Sequence, residues 1–128
     1  MTLNYSYDWS DKTILIAEDE ETNFIFLREA LKRTHANLIW AQNGQEAVEL
    51  YHENQDISVI LMDIKMPVMN GNDATKIIRN KSNVPIIVQT SHTLALEKVA
   101  SFSAGCNEYI TKPIKINTLL STISKFID

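Results

Sequence analysis

Four short apolar runs of this sequence are each followed at once by side chains that suit phosphoryl or metal chemistry. Carboxylates held close together repel one another, so they either take up protons or bind a cation. A carboxylate can also act as a nucleophile and accept a phosphoryl group as an acyl phosphate. The residues are, in chain order, Glu18, Asp19, Glu20, Asp63, Thr90, Ser91 and Lys112.

These residue types together meet the requirements of phosphoryl transfer to a carboxylate. Asp63 suits the nucleophile, and Glu18 and Asp19 offer the hard oxygen ligands that Mg²⁺ prefers. Thr90 and Lys112 offer a hydroxyl and an ammonium group to neutralise phosphoryl oxygens. Taken singly, each of them also fits a turn residue, a helix cap or a solvated loop side chain, and Glu20 reads as an ordinary acid in a first helical turn.

The hydrophobic pattern predicts the elements that bring these side chains together. Apolar runs at 14–17, 38–41, 59–62, 84–88 and 108–110 alternate with segments of helical period, including 94–103, which ends before Gly105. Short strands that are apolar on both faces need helices on both sides, which favours a doubly wound parallel α/β sheet. In such a sheet ligands bind at the carboxyl ends of the strands.

Composition excludes several classes of protein. The 128 residues suffice for one domain, and no apolar run is long enough to span a bilayer. The single cysteine, Cys106, cannot form an internal disulfide, and residues 1–10 do not have the pattern of a secretory signal, so we expect a cytoplasmic chain. A net charge of -4 predicts that the chain itself does not contact nucleic acid, and without a spanning apolar run we expect no membrane contact by this chain.

Four motifs, in order, resemble those of response-regulator receiver domains. They occupy 14–20, 61–71, 85–91 and 105–113, and the resemblance covers nearly all of residues 12–126. It implies a flavodoxin-like fold with five helices around five parallel strands in the order 2-1-3-4-5. We expect the receiver domain to occupy 11–128, with 1–10 as a linker or N-terminal extension.

The resemblance assigns Asp63 as the phosphoacceptor of a signalling switch rather than of a metabolic enzyme. The donor would be a phosphohistidine on a histidine kinase or a histidine-phosphotransfer domain. Mg²⁺ would be bound by Glu18, Asp19, Asp63 and the backbone carbonyl of Lys65. The domain would catalyse its own phosphotransfer and dephosphorylation.

The remaining implied roles concern the phosphoryl group and the response to it. Thr90 and Lys112 would contact phosphoryl oxygens, and Thr90 with Tyr109 would form the switch that alters the surface of the fourth helix, fifth strand and fifth helix. The side chains of Lys65 and His92 would tune the rate of dephosphorylation. A phosphorylation-dependent dimer is also compatible with this scheme.

Two other functions remain open on the residues alone. An aspartyl-phosphate hydrolase would usually carry an Asp two residues after the nucleophile, where this sequence has Lys65. A nucleotide- or flavin-binding domain would need a glycine-rich loop, and the chain has three glycines in all. Within the receiver interpretation, the aromatic stretch before Asp11 favours the receiver of a hybrid histidine kinase, on the cytoplasmic side of its membrane, over a stand-alone protein.

Overall fold

The computed structural model describes residues 7–91 and 94–128, and in these residues strands and helices alternate along the chain. Within this part of the chain five strands form one parallel sheet in the order β2-β1-β3-β4-β5, which confirms the predicted doubly wound fold. The strands are β1 (Thr13–Ala17), β2 (Asn37–Ala41), β3 (Val59–Asp63), β4 (Ile86–Thr90) and β5 (Glu108–Thr111). The helices are α1 (Glu21–Leu31), α2 (Gly44–Glu53), α3 (Gly71–Arg79), α4 (Ala95–Ala104) and α5 (Ile116–Ile127).

The sheet is covered on both faces because alternate residues of its strands point to opposite sides. Leu15 of β1 belongs to the core beneath α2 and α3, whereas Ile14 and Ile16 belong to the core beneath α1 and α5. The central strands β3 and β4 are buried throughout. None of the helices in the described ranges is long and apolar enough to cross a bilayer.

Side-chain caps and one glycine fix where the helices begin and end. The side chains of Asn43 and Asn70 accept hydrogen bonds from backbone amides in the first turns of α2 and α3. Gly105 ends α4 in the left-handed region, with φ of 113°, as the sequence predicts. Helix α4 begins at Ala95, one residue later than expected, and β5 extends one residue further, to Thr111.

Trp9 ties the segment before β1 to the α1–α5 side of the core. The side chain is completely buried, and its indole N–H donates a 2.7 Å hydrogen bond to the Asp128 carboxylate. Its backbone amide donates to the carbonyl of Thr34, and its ring stacks on Tyr7. The domain boundary at residue 11 stays a prediction, although Tyr7 and Trp9 already pack with the domain.

The burial of Trp9 generates a prediction about stability. We expect Trp9→Ala to lower the free energy of unfolding by about 3–5 kcal/mol, because it opens a large cavity and leaves Asp128 without its indole donor. Urea denaturation followed by circular dichroism measures the change. Leu96→Ala is the matched control, since Leu96 is 84% exposed and should have little effect. Equal effects of the two substitutions would contradict the packing described for Trp9.

Candidate functional site

The carboxyl ends of β1 and β3 bring three carboxylates together. These strands are neighbours, and the pairing of Ala17 with Met62 places Glu18 beside Asp63. One oxygen from each of Glu18, Asp19 and Asp63 lies within 4.8 Å of the others. Glu18 and Asp63 are buried, whereas Asp19 is exposed, so the cluster is open to solvent on one side. The geometry is that of an oxygen-ligand site for a hard cation.

Lys112 bridges the two buried carboxylates. Its Nζ lies 3.1 Å from Glu18 Oε1 and 3.2 Å from Asp63 Oδ2. The backbone amide of Lys112 donates to the carbonyl of Thr90 across the ends of β4 and β5, which holds the lysine at this edge of the sheet. The peptide bond from Lys112 to Pro113 is cis.

The loop after β3 holds Asp63 in place. Asp63 Oδ1 accepts a 2.9 Å hydrogen bond from the amide of Ile64. A Cβ at Gly71 would lie 1.9 Å from the carbonyl oxygen of Asp63, so only glycine allows α3 to begin this close to the strand. Between them Val68 adopts a φ of 69°, with a hydrogen bond from Met69 N to Pro67 O closing a γ-turn.

Trp40 borders the site and is not among the residues predicted from the sequence. Its indole N–H donates a 2.7 Å hydrogen bond to the backbone carbonyl of Glu18, and its ring stacks on Phe24 with 4.4 Å between centroids. Trp40 lies within the edge strand β2 and its indole is not a reactive group. It is therefore not among the reactive residues that follow the strands. It fixes the backbone from which the Glu18 carboxylate projects.

The two expected switch residues are in contact. Thr90 is buried at the end of β4, and Tyr109 is half-buried on β5. Burial raises the pKa of the Tyr109 phenol and Glu97 adds to the rise, while a hydrogen bond with Thr90 opposes it. Lys98 Nζ lies 5.4 Å from the centroid of the Tyr109 ring, which connects β5 to α4.

The other expected residues lie at the rim of the site or outside the described ranges. Lys65 is exposed and lines a polar cleft of about 600 Å³ with Asp19 and residues of α3. Ser91 is exposed at the end of β4, and Glu20 precedes the first turn of α1. His92 lies outside the described residues, so its rate-tuning role stays a prediction.

Comparison with known proteins decides the family. Residues 14–124 match the response regulator receiver domain family. The chain belongs to this family. It is a phosphoacceptor module of two-component signalling, and the strand order and the acidic cluster are those that the resemblance implies.

Relatives of this receiver domain include parts of much longer proteins. It is 32% identical over 120 residues to hybrid signal transduction histidine kinase I of Dictyostelium discoideum, an alignment that covers 87% of this chain. The chain spans 7% of the length of that kinase. This receiver domain is therefore similar to one segment of a much longer kinase.

Two solved structures are similar over most of the receiver domain. The receiver domain of sensor histidine kinase PA1611 from Pseudomonas aeruginosa, which has magnesium in its active-site cleft, has a TM-score of 0.83 and 32% identity, covering 91% of this chain and 97% of the other. The Saccharomyces cerevisiae co-crystal structure of the Ssk1 receiver domain with the histidine phosphotransfer protein Ypd1 gives a TM-score of 0.84 and 29% identity, covering 91% and 88%.

Electrostatics sets the protonation state of Asp63 in the receiver domain. Burial and the neighbouring Glu18 carboxylate raise the pKa of Asp63 from 3.8 to about 7, against the opposing charge and hydrogen bond of Lys112. Burial lowers the pKa of Lys112, but the charges of Asp63 and Glu18 outweigh it and the net shift is upward. Lys112 is therefore charged at neutral pH, and the cluster keeps an excess of negative charge.

The raised pKa of Asp63 predicts that removing its charge increases the free energy of unfolding, by an amount that depends on pH. Folding raises this pKa from 3.8 to about 7, so the destabilisation grows with pH across that interval and is complete above it. In the presence of a metal chelator we expect Asp63→Asn to raise the free energy of unfolding by of the order of 1–4 kcal/mol at about pH 8, and by less at about pH 5. Urea denaturation at both pH values measures it.

The control is Asp56→Asn, which removes an exposed carboxylate from the loop before β3. We expect it to change stability little at either pH. Two outcomes would show that the ionised carboxylate does not destabilise the metal-free fold. One is an increase in the free energy of unfolding of Asp63→Asn that does not depend on pH, and the other is a decrease near neutral pH.

Proposed function

We propose that Asp63 of this receiver domain accepts a phosphoryl group from a phosphohistidine of a partner protein. The observation that carries the proposal is a buried carboxylate that contacts an ammonium group and two further carboxylates at one edge of the sheet. Asp63 supplies the nucleophilic oxygen, and Lys112 lies where it can neutralise charge on the transferred group. Thr90, one residue beyond the strand pair of Asp63 and Gln89, supplies a hydroxyl.

The transfer conserves atoms and charge in a simple way. An oxygen of the ionised Asp63 carboxylate forms a bond to phosphorus while the bond from phosphorus to the imidazole nitrogen breaks. The electron pair of that bond returns to the imidazole. In self-catalysed dephosphorylation, the oxygen of a water molecule bonds to phosphorus while the acyl-phosphate bond breaks. The electron pair of that bond returns to the Asp63 carboxylate, and inorganic phosphate leaves with the two protons of the water. Lys65 is exposed at the rim, where its side chain can limit the approach of water.

The acidic cluster fits Mg²⁺. Its donors are carboxylate oxygens, which hard cations prefer, and the exposure of Asp19 leaves room for the water ligands that Mg²⁺ retains. We propose Glu18, Asp19, Asp63 and the backbone carbonyl of Lys65 as the protein ligands. A bound divalent cation favours the ionised form of Asp63 and neutralises charge on phosphoryl oxygens. The magnesium in the cleft of the PA1611 receiver domain supports this assignment.

The surface that responds to phosphorylation is proposed to centre on α4. This helix exposes a row of large apolar side chains, and Lys98 on the same helix contacts the ring of Tyr109. A shift of Thr90 toward a phosphoryl group would change its hydrogen bond with Tyr109, and so the position of α4. The exposed apolar residues at the start of α4 and along it are Leu94, Leu96, Val99 and Phe102. They would bind an output partner or a second copy of the chain.

The partner proposed for phosphotransfer is a histidine kinase or a histidine-phosphotransfer domain. The complex of the Ssk1 receiver domain with Ypd1 supports the second kind of partner, and the similarity to a hybrid kinase supports the first. We propose that residues 11–128 act as the receiver domain of such a system, with residues 1–10 leading into it. The cytoplasm, where kinases obtain ATP, is its proposed location.

A phosphodonor assay tests the assignment of Asp63. We expect incubation with acetyl phosphate and Mg²⁺ to add the mass of one phosphoryl group to the protein, in an adduct that is stable in acid and labile in base. Asp63→Asn should remain unmodified, and Asp56→Asn should be modified like the wild type. Intact-protein mass spectrometry measures both. An adduct that forms equally on Asp63→Asn would place the phosphoacceptor elsewhere.

A magnesium titration tests the ligand set. Because Trp40 donates to the carbonyl of Glu18, we expect its fluorescence to change when Mg²⁺ binds, whereas Trp9 contacts Asp128 away from the site. Asp19→Asn should weaken Mg²⁺ binding by about tenfold or more, since it removes a charged ligand. Trp40→Phe should abolish the optical signal while calorimetry still detects binding. Wild-type affinity in Asp19→Asn would exclude Asp19 as a ligand.

A further inference from the structure

A cavity of about 540 Å³ lies beside the acidic cluster, between α1, the end of β4 and the loop after β5. This volume is within the range of sites that bind small molecules. Most of its wall is apolar, and Asn23 and Ser91 add polar groups. The apolar lining residues are Phe26, Leu27, Pro113 and Ile114.

Gln89 is the unusual residue in the wall of this cavity. It is 2% exposed, and neither its amide oxygen nor its amide nitrogen has a hydrogen-bond partner among the described residues. Its neighbour two positions earlier, Ile87, packs into the apolar core beneath α1 and α5. Both amide atoms are closed to solvent in the unliganded fold. A buried amide without partners is destabilising, so a ligand that moves this part of the wall aside would pair with a donor and an acceptor that otherwise have none.

The charges at the cavity define the charge of that ligand. Glu18 and Lys112 both line it, and they pair with each other at 3.1 Å. Lys112 also pairs with Asp63 at 3.2 Å, so neither sign of charge is left without a counterion on the cavity side. A charged ligand would break these pairs, whereas a neutral one leaves them intact.

We propose that this cavity binds a neutral small molecule with an apolar body and a carboxamide or lactam edge. The body would contact Phe26, Leu27 and Ile114, and the edge would form two antiparallel hydrogen bonds with the amide of Gln89. A primary amide or lactam matches Gln89 because it too carries a donor and an acceptor side by side. The binding does not require phosphorylation of Asp63, so the proposal stands apart from the function proposed above.

Two probes of nearly equal shape test the proposal. Benzamide carries the paired donor and acceptor, and acetophenone keeps the ring and the carbonyl but has no N–H donor. In ¹H–¹⁵N spectra of the whole chain, we expect benzamide to cause saturable shifts at Leu27, Ser91 and Ile114. Acetophenone should bind about tenfold more weakly, because it leaves the acceptor of Gln89 without a donor.

Gln89→Leu separates this site from a general affinity for aromatic compounds. The variant should unfold at a urea concentration equal to or above that of the wild type, since it removes an unpaired buried amide. It should bind acetophenone at least as well as benzamide. Gln45→Leu, on the exposed face of α2, is the control and should keep the preference for benzamide. The proposal is wrong if benzamide shifts none of the three resonances, which is the result expected when only water or a partner's side chain fills the cavity. It is also wrong if Gln89→Leu keeps the preference for benzamide.

Discussion

The mutual repulsion of carboxylates around Lys112 is the constraint on which the rest of this structure depends. Glu18 and Asp63 are buried side by side because β1 and β3 are parallel neighbours, and burial makes their charges expensive to maintain. Lys112, which follows β5, offsets the repulsion between these two carboxylates. To do so, β5 must end beside β4. The close approach of Gly71 to Asp63 then fixes where α3 begins. A cluster so arranged is less stable without a cation than with one.

The same edge of the sheet is connected to α4, whose two ends are held very differently. At its carboxyl end, the Arg79 guanidinium donates to the carbonyls of Gly105 and Val84 and to the side chain of Asn107. At its amino end, Leu94 is 67% exposed, and among the described residues no side chain caps the helix. Arg79 therefore anchors the carboxyl end of α4 to the end of α3 and to the segment before β4.

The sequence was sufficient to predict the strands and helices that have a hydrophobic period, and the polar residues that follow the strands. Five apolar runs gave the sheet, and Glu18, Asp63 and Lys112 meet where the runs end. Trp9 could not be placed this way, because its indole pairs with Asp128, which is 119 residues away, and one aromatic outside any period does not reveal its partner. Gln89 interrupts an apolar strand visibly, yet whether its amide is paired depends on side chains from α1 and the loop after β5.

Lys112 joins the proposed phosphorylation site to the cavity that Gln89 lines. Its Nζ is nearly equidistant from Glu18 and Asp63, so neither carboxylate holds it alone. In the proposed function, a phosphoryl group on Asp63 adds negative charge on one side of this lysine only, which draws the ammonium group away from Glu18. The Glu18 carboxylate, which lines the cavity, would then exchange its pairing with Lys112 for the bound Mg²⁺. Because coupling between sites is reciprocal, a ligand that prefers the paired state of Glu18 would oppose phosphorylation to the same extent.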